Sequence, residues 1–327
     1  MEYTTLGNSG VSVSRICLGC MTFGLDSSSK YDWSIGETAS TEIIERAIDL
    51  GINFFDTSNS YSWGDSERVL GGALSEYERD ELVIASKVYF DPEANAHRNA
   101  SGLSRKAIAQ ELSNSLDRMG LETIDLYQIH RWDYGTPIEE TLRALDDAVR
   151  RNQVRYIGAS SMWAHQFADA LHTSDRLNAE RFTTMQNHYN LVYREEEREM
   201  LPLCRREGVG VIPWSPLAQG YLTRSHEELT STTRGKELAG RHEEYRSGGG
   251  PEINARVGEL ADEKGVSMAQ IALSWVFHQE TVDAPIVGVS SVEHLEDAVE
   301  ALDVSLSSSD LAYLEEPYEP LEVAGHE

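Results

Sequence analysis

At 327 residues the chain can bury a substantial core, as one large α/β domain or two small ones, and its apolar fraction of 40% is ordinary for a globular protein. Its 55 acidic residues outnumber 28 basic ones, for a formal charge of -27, which argues against nucleic acid or an anionic membrane as partner. No run approaches transmembrane length, and Met1-Glu2-Tyr3 lacks the basic-then-apolar order of a signal peptide, so a soluble cytoplasmic protein is expected. Only five of the bases are lysine (Lys30, Lys87, Lys106, Lys236, Lys264), and the acids are dispersed along the chain. A lysine-poor acidic surface suits a halophilic protein, one working in concentrated salt that screens self-repulsion; a merely acidic mesophile is the alternative.

In chain order, Tyr3 to Val13 alternates around the turn Asn8-Ser9-Gly10 and reads as a β-hairpin. Ser14 to Cys20 is a buried strand. Its Cys17 and Cys20 form a C-x-x-C without a second pair, and that spacing on a strand points the thiols to opposite faces, so a packing role is preferred over a metal or redox one. A polar loop from Asp26 to Gly36 carries an exposed-looking Trp33. A helix over Thr41–Leu50 stops at Gly51, and the strand Ile52–Phe55 ends at Asp56. Asp65 opens a helix to about Tyr77, with acids where a helix N-terminus favours them. The strand Leu82–Ser86 ends at Lys87; Ser104 caps a helix to Met119, closed by Gly120; the strand Ile124–Ile129 ends at His130. A helix runs from Pro137 to about Arg151. The strand Val154–Ile157 runs into Gly158-Ala159-Ser160-Ser161, a helix follows from Ala164, and a strand lies near Phe182–Gln186. The helix Glu195–Glu207, the strand Val209–Trp214, a long loop, helices over Glu252–Lys264 and Ser267–His278, the strand Pro285–Val287 and a last helix Val292–Ala301 complete the chain.

Eight strand–helix units alternate without a composition break, which favours an α/β fold closed into one (β/α)8 TIM barrel over residues 1–327, with an N-terminal hairpin and extra C-terminal helices. The competing doubly wound nucleotide-binding fold wants G-x-G-x-x-G after its first strand, and no such run occurs.

Chemistry gathers at one rim. Asp56, Lys87 and His130 follow the C-terminal ends of three successive strands, and Tyr61 lies in the first loop. Singly, each has an ordinary explanation: a helix cap, a surface lysine, a satisfied core histidine. Together they make a proton-delivery device. A phenol of pKa ~10 is a poor acid at neutral pH; a nearby ammonium lowers that pKa, and a carboxylate holds the ammonium charged. A histidine can orient a carbonyl oxygen. The set suits reduction of C=O, with Tyr61 giving the proton.

The chain resembles the aldo-keto reductases almost throughout, from Tyr3 to about Leu302. The motifs are Leu6 to Val11, Leu18 to Gly24, Gly51 to Thr57, Asp125 to Trp132 and Tyr156 to Met162. The last two are similar to the branch of aryl-alcohol dehydrogenase-like enzymes and potassium-channel β subunits. The resemblance implies a nicotinamide cofactor extended across the rim, and Asp56, Tyr61, Lys87 and His130 as catalytic tetrad. It also implies Gly19, Met21 and Asp56 as cofactor contacts, Ser160, Ser161 and Gln186 facing the nicotinamide, and Trp214 stacked on its ring. Ser215, Leu217, Gln219 and Gly220 are implied along the pyrophosphate, Gly288, Ser290, Ser291 and His294 at the adenosine phosphate, and Asp297 as a further cofactor contact.

Two departures matter. Serines and His294 stand where many members carry Lys or Arg for a 2'-phosphate, so NADP (as NADPH) is the expectation, with Arg234 as replacement charge and NAD still open. The loop Thr223–Gly250 is too long for an average connection and reads as a mobile flap rather than a loop ordered by a neighbouring subunit. Trp33, Trp63, Arg131 and Trp132 are the candidate substrate residues. The aromatics favour flat or apolar carbonyl compounds, whereas Arg131 could hold a carboxylate or phosphate; packing is the ordinary alternative for the tryptophans. No metal site is expected. Three functions result: an NAD(P)H-dependent carbonyl reductase, favoured; a redox-sensing regulatory subunit with slow turnover; and a metal-dependent barrel hydrolase, which lacks the His-x-His it needs. A small-molecule carbonyl substrate and a monomer or homo-oligomer are expected.

Overall fold

The computed structural model describes residues 1–25, 31–92 and 98–323; residues 26–30 of the polar loop lie outside them. The hairpin is β1 (Tyr3–Thr5) with β2 (Ser12–Ser14), antiparallel. Eight parallel strands follow: β3 (Cys17–Gly19), β4 (Phe54–Asp56), β5 (Val83–Val88), β6 (Ile124–Ile129), β7 (Val154–Ser160), β8 (Phe182–Gln186), β9 (Gly210–Val211) and β10 (Ile286–Gly288). They pair in the order β10-β3-β4-β5-β6-β7-β8-β9. The two ends meet: Ile286 N donates to Pro213 O at 2.9 Å, and parallel bridges join Val211 to Val282 and Trp214 to Ile286. The sheet is therefore a (β/α)8 cylinder.

The covering helices are α1 (Glu37–Asp49), α2 (Asp65–Leu74), α3 (Arg105–Met119), α4 (Ile138–Arg150), α5 (Ala164–Leu177) and α6 (Met200–Glu207). After them come α7 (Thr233–Glu237), α8 (Ala239–Arg246), α9 (Gly250–Lys264), α10 (Met268–Phe277), α11 (Val292–Glu300) and α12 (Ser308–Glu315). The caps act as their chemistry dictates: Ser104 Oγ accepts Ala107 N, and Gly120 takes the left-handed conformation that ends α3. Gly71 lets α2 touch α3, since a Cβ there would lie 2.2 Å from Met119 O. Three expectations are corrected. Glu195–Glu207 is a 3-10 turn (Glu195–Glu197) followed by α6, because the Glu195 carboxylate is drawn inward to accept Tyr318 OH and Leu321 N, both at 2.7 Å. The segment Thr223–Gly250 is not a bare flap: it holds a 3-10 turn, α7 and α8. A further helix, α12, follows the one read as last.

Strand alternation sorts side chains between two cores. Phe54, Val83, Ala85 and Leu126 point into the cylinder with Leu6 and Val13 of the hairpin; Phe55, Ile84, Val88, Tyr127 and Ile129 point out under the helices. Cys17 lies in the inner core and Cys20 in the outer one, both as buried free thiols. The hairpin covers the N-terminal end of the cylinder: Gly7 N donates to Asp283 Oδ2 at 2.8 Å, Asn8 N to Gly208 O at 2.8 Å, and Ser14 N to Asn53 Oδ1 at 2.7 Å. Each acceptor precedes a strand. The opposite, C-terminal rim is left for chemistry.

Candidate active site

The same alternation builds the site. Two residues beyond Phe54 comes Asp56; two beyond Ala85 comes Lys87; two and four beyond Leu126 come Gln128 and His130. All these positions face the interior, and register sets Asp56 opposite Ala85, Lys87 opposite Gln128, and Ser160 opposite Gln186. A one-residue slip of β5 would turn Lys87 out under the helices. Gly158 keeps the space open, because a Cβ there would lie 2.5 Å from Thr184 Oγ1 and 2.9 Å from Gln128 Cγ.

Lys87, fully buried, lies at the centre. Its Nζ donates to Asp56 Oδ1, to Thr57 O at 2.9 Å and to Tyr61 OH at 3.1 Å. Asp56 Oδ2 accepts Gln128 Nε2 at 2.8 Å and Gln186 Nε2 at 3.0 Å, so both carboxylate oxygens are satisfied. The His130 ring meets the Tyr61 ring edge-on at 5.8 Å, with Nδ1 3.3 Å from Ser58 Oγ. The four side chains expected from the sequence thus come together.

Burial alone would discharge Lys87, but Asp56 and Tyr61 overbalance it and raise its pKa, so it stays an ammonium. For Tyr61 burial wins. It pushes the phenol above its usual pKa, against the opposing pull of Lys87 and Arg131. The expectation that the ammonium makes this phenol acidic is therefore corrected for the protein alone: at neutral pH Tyr61 holds its proton. Because Lys87 donates to the phenol oxygen, the phenol's own hydrogen is left for an acceptor in the cleft.

That cleft has a volume of 830 Å³. Of the expected cofactor residues, Gly19, Met21, Asp56, Ser160, Gln186, Trp214, Ser215, Leu217, Gln219, Gly220, Arg234, Gly288, Ser290, His294 and Asp297 line it. Ser161 and Ser291 do not. Ser161 Oγ accepts Trp214 Nε1 at 3.0 Å and so fixes the indole, while Ser291 caps α11. The Gln186 amide is spent within the protein, on Asp56 and on Gln128 Oε1 at 2.9 Å. Trp214 stacks on His188 at 4.1 Å, and His188 in turn on Tyr193 at 4.2 Å. Among the expected substrate residues Trp33, Trp63 and Arg131 line the cleft, whereas Trp132 packs against the outer core. Trp33 is half-buried rather than exposed, between the Tyr31 ring at 4.6 Å and the Arg234 guanidinium at 4.5 Å. Sequence reasoning missed Gln128, which its alternation with Leu126 and His130 could have shown. It also missed Tyr31 and Phe90, which no local pattern marks.

Backbone strain clusters here. Ser62, Trp63 and Gly64 follow Tyr61 with φ of 46°, 58° and 88°, and Ser215, Ala218, Gln219 and Gly220 have φ of 54°, 49°, 56° and 95°. Each non-glycine costs about 1–3 kcal/mol, which surrounding structure must offset. The lining carries four arginines (Arg131, Arg224, Arg234, Arg241) and three aspartates, of which Asp56 is already paired with Lys87. With Arg241 paired to Glu244, three arginines face Asp91 and Asp297, a slight positive excess in a chain of charge -27 that suits an anionic ligand.

A profile described as the aldo/keto reductase family matches residues 15–319. The chain belongs to that family. This aldo/keto reductase is 41% identical to versiconal hemiacetal acetate reductase of Aspergillus parasiticus over 341 residues, covering 98% of each chain. It is 42% identical to a provisionally named aryl-alcohol dehydrogenase of Schizosaccharomyces pombe over 348 residues, covering 99% of this chain and 97% of the relative. It is 40% identical to aldo-keto reductase AMT2 of Alternaria alternata over 347 residues, covering 99% and 93%. Among the described residues no helix is long and apolar enough to cross a membrane.

Proposed function

We propose that this aldo/keto reductase reduces aldehydes or ketones to alcohols with NADPH, using Tyr61 as general acid. The observation that carries the reading is the Lys87 ammonium, held by Asp56 and donating to Tyr61 OH at 3.1 Å. It leaves the phenol proton directed at the cleft. The relatives named a reductase and an alcohol dehydrogenase support hydride exchange between carbonyl and alcohol, without fixing its direction.

The cleft fits a dinucleotide. Arg234 Nε is buried without a hydrogen-bond partner among the described residues, as a side chain awaiting a phosphate would be. Arg234, Ser290 and His294 would hold the 2'-phosphate, the left-handed turn at Ser215–Gly220 the pyrophosphate, and Trp214 the nicotinamide face. When bound, the reduced nicotinamide supplies the hydride. Tyr61 gives its proton to the carbonyl oxygen, and Lys87 stabilises the phenolate that results. His130, packed edge-on to Tyr61 and against Phe90 at 4.8 Å, orients that oxygen. Trp63 and Phe90 exclude water.

The test is consumption of NADPH with benzaldehyde and nitrobenzaldehyde. Steady turnover that falls at least 100-fold in Tyr61→Phe, with NADPH affinity kept, supports the reading. No turnover across a broad carbonyl panel would point to a cofactor-binding regulatory subunit instead.

A further inference from the structure

Arg131 follows His130 directly and lines the cleft. Its Nη1 donates to His130 O at 2.6 Å, and its guanidinium lies over the Phe90 ring at 5.4 Å. Phe90 itself packs edge-on against His130. The cation is thus clamped beside the reacting corner by a backbone carbonyl and an aromatic face. Neither partner carries a negative charge.

Among the described residues, several half-buried or buried arginines are matched by an acid, whereas Arg15 bonds backbone carbonyls and Arg234 faces the cleft. Arg118 pairs with Glu67, Arg194 with Glu197, Arg79 with Asp125. No carboxylate of the described residues lies within 4.0 Å of Arg131. The nearby acids are engaged elsewhere or lie outside that range. Asp133 accepts Leu103 N, Gly135 N and Thr136 Oγ1, and Asp91 at the cleft edge makes no ion pair among the described residues. Arg241 of α8, also on the cleft, pairs with Glu244 at 2.6 Å. In a chain with 55 acids and 28 bases, an unmatched guanidinium facing a half-enclosed cleft is costly unless a ligand completes it.

We propose that Arg131 is a specificity-determining residue that takes the carboxylate of the substrate. On the reading above, the preferred substrate is then an aldehyde or ketone that also carries a carboxylate, such as an oxo-acid or a carboxylated aromatic aldehyde. The carbonyl sits at Tyr61 and His130, and the carboxylate bonds the Nε–Nη2 side of the guanidinium, which His130 O does not occupy. That planar pair of donors matches a carboxylate bidentately. The flat aromatic floor and the cation together reconcile the two substrate chemistries left open by the sequence.

The experiment compares kcat/KM for 3- and 4-carboxybenzaldehyde with that for their methyl esters, with saturating NADPH, in the wild type, Arg131→Met and Arg131→Lys. At least one acid is expected to exceed its ester at least tenfold in the wild type. That ratio should fall at least tenfold in Arg131→Met, through KM more than kcat, and recover in part in Arg131→Lys. A wild-type ratio near one, or the same ratio in Arg131→Met, overturns the inference while leaving the reductase reading intact. If no carbonyl turns over, the reductase reading fails by itself, and binding decides the inference: quenching of tryptophan fluorescence by benzoate against benzamide. Preference for benzoate, lost in Arg131→Met or weakened in Arg131→Lys, supports it; equal binding overturns it. Circular dichroism identifies a misfolded Met variant, and the Lys variant then carries the comparison.

Discussion

Lys87→Met strands a carboxylate inside the barrel, and its cost can be worked from the geometry. The change removes the partner of Asp56 Oδ1 and the donor to Thr57 O, while the two amides on Oδ2 remain. Breaking a buried pair from one side costs about 3–5 kcal/mol. A ceiling follows from proton uptake: neutralising a carboxyl of ordinary pKa ~3.9 costs about 4 kcal/mol at pH 7 and about 1.5 kcal/mol at pH 5. Lys87→Met should therefore lose about 4 kcal/mol of stability at pH 7 but no more than about 1.5 kcal/mol at pH 5. Adding Asp56→Asn removes the stranded charge, so the double variant should regain at least about 2 kcal/mol at pH 7. The assay is urea unfolding followed by tryptophan fluorescence at both pH values. The reasoning is refuted if Lys87→Met unfolds within about 1 kcal/mol of the wild type at pH 7, or if the double variant is no more stable than the single.

Three further outcomes are expected. Because burial raises the Tyr61 pKa, carbonyl reduction should be flat across neutral pH, while alcohol oxidation, which needs the phenolate, should climb as pH rises; a reduction rate that falls from pH 6 to 8 would contradict this. Burial pushes the Glu196 carboxyl up to about 8, so the folded state holds a proton the unfolded chain releases near 4.5. Stability should then decline as pH rises from about 4.5 to about 8, and Glu196→Gln should flatten that decline apart from the share of Asp283, itself raised to about 6. Finally, with a net charge of -27, the thermal midpoint should climb by several degrees between 0.05 and 2 M KCl, as screening lengths of about 2 Å replace longer ones; an unchanged midpoint would remove the halophilic reading.

Much of this was legible from the chain. Strand ends at Asp56, Lys87 and His130 were visible because an apolar run that stops at a charge marks a rim, and Ser104 and Gly120 announced the ends of α3 within a residue. Other parts carried too faint a signal. The strand read as Val209–Trp214 pairs regularly only over Gly210–Val211, since Pro213 has no N–H to give and joins the barrel through its carbonyl alone. α8 buries little beyond His242 and Tyr245, so it has no apolar stripe to read. α12 did have a signature, Ser307 with Asp310 three residues on, in a stretch whose one buried side chain is Leu314. At the site, residue types named the partners of Tyr61, but whether ammonium or burial sets its proton depends on packing that no spacing encodes.

The hairpin at the foot of the barrel has a kinetic consequence. With Leu6 and Val13 sealed into the inner core, and Gly7 and Asn8 tied to the segments before β10 and β9, the foot admits nothing. Whatever reaches Tyr61 must pass the rim that also carries Trp214 and Arg234, so the two reactants share a doorway. On the proposed reading, a cofactor lodged beneath the substrate would arrive first and depart last, and the single entrance would impose that order.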